Sequence, residues 1–81
     1  MIPEHTKGSI DRYVEYGYEP GGFVTAVLCN DLFGAINRAD NENIVSLRDI
    51  CLYVYNDIPG NCWGDKTTMR DYIASKQGVD E

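Results

Sequence analysis

The chain has 81 residues, with thirteen acidic and seven basic side chains and a net charge of −6. That balance argues against a duplex nucleic-acid binder, which needs a basic face, and against docking on an anionic membrane. No apolar run approaches the ~18 residues of a membrane span, and the opening Met-Ile-Pro-Glu-His-Thr-Lys lacks the apolar middle of a signal peptide.

Residues 3–16 read as a first helix. Pro3 and Glu4 suit its first turn, Ile10, Tyr13 and Val14 form a short apolar stripe, and Gly17 suits a left-handed stop. A later start at Ser9 is also compatible with the pattern. Tyr16 and Tyr18 flank the exit. The link Tyr18-Glu19-Pro20-Gly21-Gly22 is a short hinge.

A second helix is expected from about Gly22 to Arg38. It carries Val24, Val27, Leu28, Leu32, Ala35, Ile36 and Ala39 at three- and four-residue spacing. This is the expected central helix, against which the others pack. Gly34 in its interior costs ~1 kcal/mol against Ala, which close approach of another helix would offset. Asn30, Gly34, Asn37 and Asn41 share one side, which faces either water or a partner.

Asp40, Asn41 and Asn43 read as a turn and cap. The third expected helix spans about Asn43 to Ile58, with Ile44, Leu47, Cys51, Val54, Tyr55 and Ile58 as its buried stripe. Val45 and Leu52 fall off that stripe on a common flank, as for a contact with another subunit. Pro59-Gly60 ends the helix. Asp65 is the expected cap of a last helix, about Lys66 to Ser75, with Met69, Tyr72 and Ile73 inward. A frayed tail is expected at about 77–81. The sum is an all-α chain: one small domain over residues 1–81, a compact bundle of about four short helices that self-associates.

Cys29, Cys51 and Cys62 are odd in number and form no Cys-x-x-Cys pair, and His5 is the sole histidine. That pattern supports neither a zinc site nor a disulfide framework, and reduced thiols suit a cytosolic setting. No cofactor or metal is expected. A chain this short buries only about 60% of the surface its unfolded form exposes, so self-association is the remaining support. Six Tyr, two Phe and one Trp are more aromatic surface than a four-helix core needs.

No catalytic constellation is legible. A Ser-His-Asp or Cys-His arrangement needs a placed base, and the segment Pro-Gly-Gly-Phe lacks the Lys-Ser/Thr of a phosphate loop. The expected chemistry is therefore binding without catalysis. Gly21 and Gly22 at a helix start leave backbone N–H groups for an anion, and Thr25 adds a hydroxyl. Tyr16, Tyr18, Phe23 and Trp63 are candidate faces for stacking a base, although Phe23 and Trp63 are by type more often core. Lys7, Arg12, Arg38 and Lys66 are candidate cations, from one chain or two.

One wider pattern joins these pieces. The run Gly21-Gly22-Phe23-Val24-Thr25-Ala26-Val27-Leu28, then Asn30-Asp31-Leu32, Arg38-Ala39-Asp40, Asn43, Tyr55-Asn56, Pro59 and Cys62-Trp63-Gly64 resembles a family of small bacteriophage-encoded proteins. The likeness covers about residues 2–75. Asp65-Lys66 stands where that family has Ser-Pro, and no functional residues carry over from it. The resemblance implies a phage protein acting in the host bacterial cytoplasm. It is similar in kind to counter-defence factors that form oligomers and sequester nucleotide-derived immune signals, such as cyclic nucleotides or cyclised ADP-ribose products. The other implied roles are inhibition of a defence protein by direct contact, or a minor structural or regulatory part.

Overall fold

The computed structural model describes residues 1–77, and they form helices joined by short turns. Six are α-helical: α1 Glu4–Tyr16, α2 Gly22–Leu28, α3 Leu32–Arg38, α4 Asn41–Val45, α5 Leu47–Asp57 and α6 Lys66–Lys76. A 3₁₀ turn, Gly60–Cys62, lies between α5 and α6. None is long and apolar enough to cross a membrane. Most of the expected tail, residues 78–81, lies outside the described residues; Gln77, at its start, donates from Nε2 to the Gly17 carbonyl at 3.2 Å.

α1 follows the first reading, with Pro3 immediately before it rather than the later start at Ser9. Gly17 ends it at φ 76°, a left-handed angle that costs a residue with a Cβ about 1–2 kcal/mol.

The expected helix from Gly22 to Arg38 is instead two helices. The break is a Schellman turn. Asn30 adopts φ 63°, its N–H donates to the Val27 carbonyl at 3.1 Å, and the Asp31 N–H donates to the Ala26 carbonyl at 2.8 Å. Asp31 then caps the next helix by accepting from the Gly34 N–H at 3.0 Å. An apolar period continues across residues 29–31, but the local hydrogen bonds of Asn and Asp outcompete it. The correction also explains Gly34 differently. The Asp31 carboxylate lies over it, in the volume a Cβ would fill.

A second correction falls at Ser46, where the expected helix from Asn43 to Ile58 divides into α4 and α5. The Ser46 Oγ donates to the Met1 carbonyl at 2.7 Å, which ties the N-terminus to this bend. The buried stripe beyond this division differs from the expected one. Ile50, Val54 and Ile58 are buried, while Ile44, Cys51 and Tyr55 are exposed.

The core gathers Ile10 and Tyr13 of α1, five residues of α2 (Phe23, Val24, Ala26, Val27, Leu28), Ala35, Ile50, Val54, Ile58, Cys62 and Met69. α2 is thus the central element, although it has only seven residues. Polar ties cross the core. The Tyr13 hydroxyl donates to the Cys62 carbonyl at 2.6 Å, the Tyr72 hydroxyl to the Val14 carbonyl, and Thr6 to Asn43. Among the described residues no buried side-chain polar atom lacks a partner, so each tie offsets the desolvation it would otherwise cost.

Candidate functional site

The hinge before α2 places its first turn beside the last turn of α3. Gly21 precedes α2 in an extended conformation, and no side chain caps the helix, whereas Asp31, Asp40 and Asp65 cap α3, α4 and α6. The Thr25 hydroxyl donates back to the Pro20 carbonyl at 3.2 Å and fixes the hinge. Because Gly22 has no side chain, Arg38 folds across it; a Cβ there would stand 3.0 Å from the Arg38 Cδ. Arg38 is held over its own helix, one guanidinium nitrogen donating to the Gly34 carbonyl at 3.4 Å.

α6 arrives from the other side. The Gly64 N–H donates to the Leu28 carbonyl at 2.7 Å, pinning the loop to the end of α2. Asp65 accepts from the Thr68 N–H at 2.8 Å, which starts α6 at once and puts Lys66 in its first turn. That hydrogen bond holds the Asp65 carboxyl below its ordinary pKa.

Between these elements lies a cleft of about 360 Å³ that includes Glu19, Gly22, Thr25, Cys29, Asp31, Arg38 and Lys66 in its walls. A second cavity of about 510 Å³ shares Glu19, Thr25, Cys29 and Lys66 with it and runs along α6 past Met69, Arg70, Ile73 and Ala74. The two form one bipartite groove. Its first part is polar. Its second part has an apolar wall of Met69, Ile73 and Ala74. Three cations (Arg38, Lys66, Arg70) face two carboxylates, Glu19 and Asp31, and Asp31 is already engaged as the α3 cap. This is a local cationic excess on a chain whose net charge is −6. The Cys29 thiol sits at the junction, 3.4 Å from the Met69 sulfur, and burial raises its pKa. It is a neutral thiol rather than a nucleophilic thiolate.

Four of the eight candidate ligand residues therefore meet in one cleft: Gly22, Thr25, Arg38 and Lys66. The others do not line it. Gly21 is exposed just outside. Phe23 is packed in the core and presents no free face. Trp63 is half-buried, donates from Nε1 to the Ile58 carbonyl at 3.2 Å and meets Tyr55 edge-on at 6.0 Å. Tyr16 is exposed and stacks on Tyr18 at 5.2 Å. Arg70 was not among the sequence candidates, and Met69 and Ile73 were expected only as inward residues of the last helix, not as a wall of a groove. The signal for Arg70 was present, because it stands four residues after Lys66 and so shares its side of α6.

A larger depression of about 760 Å³ lies between Met1–His5 and α4. Glu4 and Glu42 line it, and the neighbouring Met1 ammonium is paired with Asp49 at 2.7 Å. The His5 ring there already lies between the Asp40 and Glu42 carboxylates. The groove between α2, α3 and α6 is therefore the stronger candidate. Comparison of the chain with protein families, with curated proteins and with solved structures returns no match.

Proposed function

We propose that this is a phage counter-defence protein of the host cytoplasm that, as a homo-oligomer, binds and sequesters a nucleotide-derived immune signal without catalysis. The supporting observation is the convergence of Arg38 and Lys66, from separate helices, on the cleft beside Gly22 and Thr25. The two cations suit a phosphate or pyrophosphate, with the Thr25 hydroxyl holding the hinge beside them. The apolar wall of Met69, Ile73 and Ala74 along the same groove suits the flat face of a base. α2 has only seven residues and its dipole is short, so in this reading the side chains hold the anion and the open amides at Gly21–Gly22 assist.

Isothermal calorimetry against a panel of cyclic nucleotides and ADP-ribose cyclisation products tests the proposal. Micromolar binding of one of them, lost on Lys66→Glu, is the expected result; no heat from any of them at that concentration defeats it.

A second reading is inhibition of a defence protein by direct contact. It rests on the stacked and exposed pair Tyr16 and Tyr18, 53% and 56% accessible. Capture of a stoichiometric protein partner from host lysate, abolished by Tyr18→Glu, would favour it over the sequestration of a small molecule.

A further inference from the structure

We propose that the uncovered face shared by α3 and α5 is a two-fold interface with a second copy of this chain, built on an antiparallel pairing of α5 with itself. This gives a location to the self-association in the proposed function and is independent of what the groove binds. Leu32, Phe33 and Ile36 on α3 are 57%, 79% and 43% exposed, and Leu52 and Tyr55 on α5 are 41% and 71% exposed. Cys51, one turn before Tyr55, is exposed as well. The two helices meet here, where Asp31, Leu32 and Ala35 share a small cavity with Leu47 and Cys51.

The size of the face suits a dimer. At roughly 150–250 Å² per aromatic side chain, the free parts of Phe33 and Tyr55 amount to about 300 Å², and the three aliphatics add about 200 Å². With apolar atoms making up ~65% of a homodimer interface, about 500 Å² of apolar surface per copy corresponds to a total near 1,500 Å², within the range of stable interfaces.

The charge pattern selects the occupant. The chain carries thirteen acids, yet this face carries only two charges, which offset each other: Arg48 on α5, and Asp31, which borders Leu32 and Cys51 and is already engaged as the α3 cap. Repulsion between two copies of a −6 chain is least across such a face. In an isologous contact the same patch meets itself. An antiparallel α5 pair centred between Cys51 and Leu52 sets Arg48 of each copy against Tyr55 of the other. The one cation on the face then lies over an aromatic ring, twice, by symmetry.

Cys51 falls beside the axis. With helix axes 8–10 Å apart, the two Cys51 thiols are within reach of a short bismaleimide. Cys29 is only half-buried and Cys62 is buried, so Cys51→Ser is the control that assigns the cross-link.

Sedimentation of the full chain should show a dimer, or a larger even-numbered assembly, whose subunits cross-link through Cys51. Phe33→Glu and Tyr55→Glu should give monomers with unchanged helical circular dichroism, Arg48→Glu should weaken the dimer at least tenfold, and Tyr18→Glu should leave it intact. A monomeric wild-type chain overturns the proposal. So does an assembly that survives both Phe33→Glu and Tyr55→Glu, that fails to cross-link through Cys51, or that Tyr18→Glu disrupts equally. Calorimetry on the same variants keeps the two proposals apart, since a monomer that still binds ligand defeats only the interface.

Discussion

Asp31 and Gly34 form a single unit: the carboxylate accepts the Gly34 N–H at 3.0 Å and occupies the space where a Cβ of residue 34 would stand. The start of α3, and with it the position of Arg38, depends on this fit. Gly34→Ala should therefore destabilise the protein by about 1 kcal/mol, because the lost cap outweighs the helix propensity gained. In an Asp31→Ala background the same change should stabilise by about 0.5 kcal/mol. Urea unfolding of the four-member cycle reads the coupling, and additive effects would mean that the two residues act separately.

Asn30 is the only described non-glycine residue with positive φ, at 63°. Asn30→Gly relieves the backbone at a site where the Schellman bonds already hold the chain, and it should be neutral or mildly stabilising. Asn30→Val should cost about 1–2 kcal/mol, since a β-branched side chain resists the left-handed region. Thermal melts of the two variants, compared with wild type, check the order.

Alkaline pH should loosen the fold through two tyrosines. Burial first, then the Cys62 thiol as hydrogen-bond partner and neighbour, push Tyr72 up to about 12. Burial raises Tyr13 further. The unfolded value is near 10. A raised folded pKa means the stabilisation is complete below about pH 10 and is lost as pH climbs through the folded values. Melting temperature should drift down from about pH 8.5, where the burial-raised thiols of Cys29, Cys51 and Cys62 begin to count, and fall more steeply between about pH 10 and 12, with tyrosinate absorbance rising in the latter interval. Tyr13→Phe should lower stability at neutral pH by about 1–3 kcal/mol, because the Cys62 carbonyl loses its donor, and should reduce the alkaline dependence.

The groove predicts a graded response to charge. Arg38→Glu and Lys66→Glu should each weaken binding of a phosphate-bearing ligand at least tenfold, about 1.4 kcal/mol or more, with helicity retained. Arg70→Ala, in the neighbouring part of the groove, should have a smaller effect on the same titration. Equal binding by all three variants would move the anion elsewhere.

Much of the local structure was readable from residue types. Gly17 and Asp65 gave their helix ends, Met69 gave the inner side of α6, and the run beginning at Gly22 gave the central element. These are short-range effects in which a residue's own geometry or capping ability decides the outcome. Even the break at Asn30-Asp31 was written locally, but the continuing apolar period concealed it. Two things were decided only by packing. The helix divides at Ser46, which is tied to the distant Met1, and packing of α5 on the core put Ile50 inside and left Cys51 and Tyr55 out. Arg38 and Lys66 met because α6 folds back along α2 through the Gly64–Leu28 hydrogen bond. Periodicity reports which side of a helix is apolar, whereas only the assembled chain determines how much of that side another element covers and which distant cations come together.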